Sequence, residues 1–90
     1  MDTNLEGIVR TPPAPASEDP AEKRIKFLLF RETEQEEISC MSSLRFNPTS
    51  IKLAVGSKVI LFGYWVTEQV SGNTTPEFYF SRAMVIWPGN

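Results

Sequence analysis

The sequence predicts a small all-β domain, either a barrel or a sandwich, with little or no helix. Two observations support this prediction. Five short runs rich in β-branched and aromatic residues are separated by turn residues. No stretch repeats its apolar residues at the spacing of a long amphipathic helix. Because the chain has 90 residues, seven of them proline, we expect one domain spanning residues 1–90.

The first two predicted strands flank a proline-rich segment. Leu5–Arg10 is a short strand candidate, and Arg24–Arg31 is the second. Successive side chains of a strand point to opposite faces, and one face of Arg24–Arg31 is uniformly apolar. This predicted core face consists of Ile25, Phe27 and Leu29. Residues 11–23 combine four prolines with small and acidic residues, which predicts a flexible loop.

A polar turn, Glu32–Glu36, separates the second predicted strand from a third, Glu37–Ser43. A connection of this length predicts an antiparallel hairpin with a solvated acidic turn. Ile38 and Cys40 are expected to point inward. Since Cys40 is the only cysteine, no intrachain disulfide can form, and we expect a buried thiol in a cytoplasmic protein.

The fourth predicted strand lies within Val55–Val66 and is interrupted by Gly63. A glycine inside a strand indicates a bulge, a sharp bend or a close approach of another backbone. Both faces of this strand are apolar, so we expect another element or a partner subunit to cover one of them. A polar loop, Thr67–Pro76, then leads to a fifth predicted strand, Glu77–Trp87, and Ser71-Gly72-Asn73 at the tip of this loop predicts a hairpin.

The order of these elements, together with a short motif, resembles the OB-fold, a five-stranded Greek-key barrel. The motif is Gly-x-x-Val-x-x-x-Gly, formed by Gly56, Val59 and Gly63, and Gly7 lies in the first strand. In these features the chain is similar to single-stranded-DNA-binding and anticodon-binding-type OB domains. The resemblance implies a nucleic-acid-binding face built on the second and third strands. Unlike the bacterial single-strand-binding pattern, the third strand carries no aromatic residue.

Single strands bind to proteins through cations that track the phosphates and aromatic rings that stack on the bases. On the face that the resemblance implies, the sequence offers both kinds of residue. The predicted cations are Arg24, Lys26, Arg45 and Arg82. The predicted stacking residues are Phe30, Tyr64 and Tyr79, with Phe46 as either a stacking platform or a plug for the open end of the barrel.

These residues favour binding of single-stranded nucleic acid, DNA in preference to RNA and largely independent of sequence. The net charge of −2 argues weakly against a general nucleic-acid binder. Whether nucleic acid can bind therefore depends on where the cations lie on the fold and not on the total charge. The alternative is a protein-interaction subunit of a larger complex, or a homo-oligomer, that does not contact nucleic acid.

The composition disfavours several other functions. The chain has no histidine, one cysteine, and aspartates only at Asp2 and Asp19. We therefore expect no enzymatic activity, no metal site and no cofactor. No apolar run approaches the roughly 18 residues of a membrane span, and no secretory signal is evident, so we expect no membrane partner.

Overall fold

The computed structural model describes residues 3–15, 24–43, 53–70 and 73–88. These residues form strands and turns, with no helix among them. The strands are β1 (Thr3–Val9), β2 (Ala14–Pro15), β3 (Arg24–Arg31), β4 (Glu36–Ser43), β5 (Lys58–Val70) and β6 (Asn73–Trp87). The predicted all-β class is confirmed.

One sheet contains all six strands in the order β1-β5-β6-β4-β3-β2, and β1 also pairs with β3. This additional pairing closes β1, β3, β4, β5 and β6 into a five-stranded barrel, with β2 outside the ring on the edge of β3. Neighbouring strands are antiparallel except β4 and β6, which are parallel. This is the Greek-key barrel that the sequence resemblance implied.

The interior of the barrel is apolar, as the alternation in the sequence predicted. Ile25, Phe27 and Leu29 of β3 are buried, and so are Ile38 and Cys40 of β4. Phe78 and Phe80 of β6 complete the core, whose Phe27 and Phe80 rings meet edge to face with centroids 5.7 Å apart. Burial of each large side chain stabilises the fold by about 1.5–3 kcal/mol.

Gly63 lies at a register shift and at a close approach of two backbones, which are two of the three predicted alternatives. The β5–β6 register shifts between Phe62 and Gly63, and a Cβ at Gly63 would collide with the backbone of Tyr79 and Phe80. The strand is preceded by a turn in which Gly56 adopts a φ of 93°, a left-handed conformation that glycine adopts without strain.

The hairpin predicted within Thr67–Pro76 is confirmed, but the prediction that the whole segment is a loop is wrong. β5 continues to Val70 and β6 begins at Asn73, with Thr67 paired to Pro76 and Val70 to Asn73. The two strands form a hairpin arm that is paired through backbone hydrogen bonds between β5 and β6. Because this pairing involves only the backbone, the sequence of the arm need not alternate apolar and polar residues. Pro76 is compatible with it because, among the described residues, β4 pairs with β6 only from Glu77 onward.

Two residues of the predicted flexible loop pair with β3. Ala14 and Pro15 pair with Lys26 and Ile25 on the edge of β3. Thr11 also bonds to this edge of β3, because its Oγ1 accepts a hydrogen bond from the Leu28 backbone N–H at 2.9 Å. Residues 16–23 lie outside the described residues, so the flexibility of this segment stays a prediction.

Candidate nucleic-acid interface

Outward side chains of four neighbouring strands align across the barrel surface. The register places Lys26 of β3 opposite Met41 of β4, Met41 opposite Tyr79 of β6, and Tyr79 opposite Tyr64 of β5. Directly paired residues point to the same side of a sheet. A cation, a thioether and two phenol rings therefore form one continuous line, which we call the tyrosine row (Lys26, Met41, Tyr79 and Tyr64).

A cleft opens beside the tyrosine row. Among the described residues, β4 and β6 pair only from Ser39–Glu77 to Met41–Tyr79. The resulting β4–β6 cleft has a volume of about 370 Å³. It is lined by Arg24, Met41, Ser42, Tyr64, Tyr79, Phe80 and Ser81. The cleft thus combines aromatic, basic and hydroxyl groups.

The two tyrosines present rings that a base could contact. Tyr64 is 47% exposed and Tyr79 is half-buried. Their ring centroids are 6.1 Å apart, with the ring planes inclined by 35°. This tilted arrangement is favourable for aromatic pairs and limits the rotation of each ring. Tyr64 is the more accessible stacking platform of the two.

The positive charge of Lys26, at one end of the tyrosine row, is partly neutralised by the carboxylate of Glu77. Nζ of Lys26 lies 3.5 Å from Oε1 of Glu77, whose side chain is 14% exposed. Oε2 of Glu77 is buried and has no hydrogen-bond partner among the described residues. Sequence reasoning missed Glu77, although a residue two positions before Tyr79 in a strand shares its face.

The predicted site residues fall into three groups. Arg24, Tyr64 and Tyr79 line the β4–β6 cleft, and Lys26 stands at the end of the tyrosine row. Phe30 and Arg82 do not line the cleft. Arg45 and Phe46 lie outside the described residues, so their roles stay predictions.

Phe30 and Arg82 each take part in a separate cation–aromatic contact. The guanidinium of Arg10 lies 4.3 Å from the centroid of the half-buried Phe30 ring. The guanidinium of Arg82 lies 5.6 Å from the centroid of Phe62. Each pair combines a cation and an aromatic ring, the two kinds of group that bind single-stranded nucleic acid, and both pairs lie outside the cleft.

Cys40 is a core residue, as predicted. Its side chain is fully buried, and burial, with a smaller contribution from nearby Glu77, raises the pKa of its thiol far above the ordinary value. A thiol that keeps its proton is a poor nucleophile and metal ligand. Cys40 therefore contributes packing.

The acidic turn is solvated, also as predicted. Arg31 forms ion pairs with Glu34 at 3.1 Å and with Glu36 at 3.0 Å, and both glutamate side chains are exposed while that of Arg31 is half-buried. Within the described part of the chain, no group of three histidine, cysteine or acidic residues could hold a metal ion.

No helix in residues 3–15, 24–43, 53–70 or 73–88 is long and apolar enough to cross a membrane.

The fold is similar to several solved structures. The N-terminal domain of PriB from Thermoanaerobacter tencongensis, described as dimeric, is 23% identical, with a TM-score of 0.70 and 94% of each chain covered. The mitochondrial single-stranded DNA binding protein Rim1 from S. cerevisiae is 9% identical, with a TM-score of 0.78 and coverage of 99% of this chain and 98% of that chain. Aspartyl tRNA synthetase from Entamoeba histolytica is also 9% identical, with a TM-score of 0.74, and the match covers 99% of this chain and 19% of that one.

No protein-family model matches the sequence, and no curated protein sequence matches it. The evidence of similarity is therefore structural. Together with the strand order, this structural similarity confirms that the chain has the OB-fold.

Proposed function

We propose that this chain is a binding module for single-stranded nucleic acid, DNA in preference to RNA, and largely independent of sequence. The tyrosine row beside Arg24 carries the proposal. Stacking of a base on an aromatic side chain contributes about 1–3 kcal/mol and tolerates any base, because every base has a π-face. The structural similarity to a mitochondrial single-stranded DNA binding protein supports the proposal.

Each residue has a defined role in this proposal. Tyr64 is the primary stacking platform, and Tyr79 supports it from the neighbouring strand. Arg24 and Lys26 neutralise phosphates along β3. The peripheral pairs Arg10–Phe30 and Phe62–Arg82 extend the path for a longer strand.

A titration of the protein into a fluorescently labelled oligothymidine of about 15 nucleotides tests the proposal. Each phosphate contact to a single strand gives a slope of about −0.7 in log affinity against log salt. For the two cations Arg24 and Lys26, raising salt from about 50 to about 200 mM should weaken binding about sevenfold. Absence of binding at micromolar protein, or an affinity that salt does not change, would contradict the proposal.

Substitutions then locate the site. Tyr64→Ala should weaken binding by about 1–3 kcal/mol, whereas Tyr64→Phe retains the ring and should bind nearly as wild type does. Lys26→Ala should weaken binding and flatten the salt dependence. Lys58→Ala is the matched control, since Lys58 stands outside the tyrosine row with its Nζ 3.9 Å from Glu32. Equal losses of oligonucleotide affinity in Lys26→Ala and Lys58→Ala would show that binding does not depend on where the lysine lies on the barrel.

A second candidate function is protein interaction, including self-association. The observation that favours it is the apolar end of β6, where Met84, Val85, Ile86 and Trp87 are between 46% and 70% exposed. Exposed apolar side chains in this number are typical of a protein contact surface. A measurement of mass in solution beside the titration discriminates the two candidates, because an oligomer that ignores oligonucleotides favours the second.

A further inference from the structure

Met41 lies in the middle of the tyrosine row. The strand register places it between Lys26 of β3 and Tyr79 of β6. Its side chain is half-buried and lines the β4–β6 cleft. Part of this side chain is therefore accessible to a small molecule in solution, on the surface that the proposed function assigns to the bound strand.

The sulfur of Met41 contacts a cation of the candidate interface. Nη1 of Arg24 lies 4.0 Å from Sδ of Met41. A thioether sulfur is a weak hydrogen-bond acceptor. This contact therefore competes only weakly with a phosphate for the guanidinium of Arg24.

Oxidation of the sulfur changes this balance. Methionine sulfoxide is polar, and a guanidinium donates a charge-assisted hydrogen bond to its oxygen. The new oxygen is attached to the atom that Nη1 of Arg24 already contacts. It therefore competes with phosphate for Arg24 and places a polar group beside Tyr79, where a base would stack.

The neighbouring Cys40 does not compete with Met41 for an oxidant. Its side chain is fully buried and its thiol keeps its proton, whereas peroxides react with the thiolate. The other methionine among the described residues is Met84, which is 47% exposed and does not line the cleft. Met84 is therefore an accessible comparison that has no contact with the cleft.

We propose that Met41 is an oxidative modification site and that its sulfoxide weakens the binding of single-stranded nucleic acid. This inference rests on the proposed function and adds redox control to it. A hydroperoxide transfers one oxygen atom to Sδ, which is oxidised by two electrons. The S–O bond forms as the O–O bond breaks, and hydrogen peroxide leaves as water. Methionine sulfoxide reductases, one for each epimer, reverse the step with thiols as the reductant.

The experiment measures the affinity for a labelled oligothymidine of about 15 nucleotides before and after mild treatment with hydrogen peroxide. Mass spectrometry of peptides locates the added oxygen. Wild-type protein oxidised at Met41 should bind at least about threefold more weakly, as expected for one competing hydrogen bond. The slope of log affinity against log salt should flatten by up to about 0.7, because Arg24 loses part of its phosphate contact. Reductase treatment should restore both values.

Variants assign the effect to Met41, each compared with its own untreated affinity. Met41→Leu should lose no affinity on treatment, whereas Met84→Leu should lose as much as wild type. Met41→Gln places an amide oxygen near the position of the sulfoxide oxygen and should bind as weakly as oxidised wild type without treatment. In Arg24→Ala the loss on treatment should be smaller than in wild type, because no guanidinium remains for the sulfoxide to hold. A full loss in Arg24→Ala would overturn the role of Arg24.

The outcomes separate the two proposals. If untreated wild-type protein does not bind the oligothymidine, the proposed function fails, and the redox control fails with it. Unchanged binding after oxidation of Met41, or no sulfoxide at Met41 in the native protein, overturns the redox control and leaves the proposed function intact. A loss of binding that Met41→Leu does not prevent has the same consequence. The tryptophan fluorescence of the oxidised protein should stay native, since unfolding on oxidation would also overturn the proposal.

Discussion

At the scale of single residues, Gly63 shows how sequence controls the shape of the barrel. A Cβ at this position would collide with the carbonyl oxygen of Tyr79 and would lie 2.6 Å from Cα of Phe80. Both are backbone atoms of β6, so neither can move aside without disturbing the strand. The close approach lies at the register shift that bends β5 across β6 and carries Tyr64 into the tyrosine row.

Gly63→Ala should therefore destabilise the domain by at least about 2–3 kcal/mol, the cost of forcing atoms into a packed site. Urea denaturation followed by tryptophan fluorescence measures the change. Ser81→Ala is the control, because Ser81 is exposed opposite the bend and should change stability by less than about 0.5 kcal/mol. An unaltered denaturation midpoint for Gly63→Ala would mean that the two backbones separate easily.

Cys40 couples the stability of the core to pH. Burial, followed in importance by the charge of Glu77, raises the pKa of the folded thiol above its ordinary value of 9.0. Above that pH the unfolded chain releases the proton while the folded chain retains it. Stability therefore falls as pH rises, by up to about 1.4 kcal/mol per unit.

We expect the stability difference between wild type and Cys40→Ala to shrink by about 1.4 kcal/mol between about pH 8 and about pH 10. Denaturation curves of both proteins at each pH give this difference, and the comparison removes groups that titrate equally in both. The native thiol should also resist a disulfide reagent that modifies it rapidly in urea. Rapid modification of the native protein would show that the core opens at Cys40.

At the scale of secondary-structure elements, β3 and β6 bring opposite charges to the candidate interface. β3 contributes Arg24 and Lys26 to the candidate interface, and β6 contributes Glu77 beside Lys26. An ion pair of this kind, with the lysine side chain 43% exposed, contributes at most about 1 kcal/mol to stability. Its larger effect is on binding, because the carboxylate competes with phosphate for Lys26.

Glu77→Gln should tighten oligothymidine binding about twofold to fivefold, which corresponds to about 0.5–1 kcal/mol. The slope of log affinity against log salt should steepen by less than about 0.7, because Lys26 already contacts phosphate in the wild type and Glu77→Gln removes only the competing carboxylate. Glu36→Gln is the control, because Glu36 pairs with Arg31 at the β3–β4 turn and not with Lys26. Weaker binding by Glu77→Gln would indicate that the carboxylate itself contacts the nucleic acid.

The sequence predicts elements well where one face of a strand is buried. The alternation in Arg24–Arg31 identified the core face of β3, because a strand at the barrel wall must separate apolar from polar positions. The same argument failed for Thr67–Pro76. That hairpin arm has polar side chains and a proline, so its sequence resembles a loop, and only the pairing of β5 with β6 makes it strand.

The candidate site was predictable only in part. Arg24, Lys26, Tyr64 and Tyr79 were identified from their residue types. Their meeting depends on the parallel pairing of Met41 with Tyr79, which no local pattern encodes.

At the scale of the whole molecule, the pairing of β1 with β3 closes the barrel, but one edge of β6 is paired over only part of its length. β4 covers β6 only between Glu77 and Tyr79, and β5 covers its other edge up to Trp87. Among the described residues, the β4-side edge of β6 has no strand partner beyond Tyr79. An unpaired edge that is also apolar is a template for pairing with another chain.

We expect the protein to self-associate through this edge, with a mass that rises with concentration towards twice the 10.2 kDa of the monomer. Val85→Lys should shift the equilibrium towards monomer, because a charge on an edge strand opposes pairing. Val55→Lys is the matched control, since Val55 is 46% exposed and Val85 is 48% exposed, but Val55 lies in the turn before β5. Light scattering after size exclusion measures the mass. A wild-type protein that stays monomeric at high micromolar concentration, or equal effects of the two substitutions, would contradict association through β6.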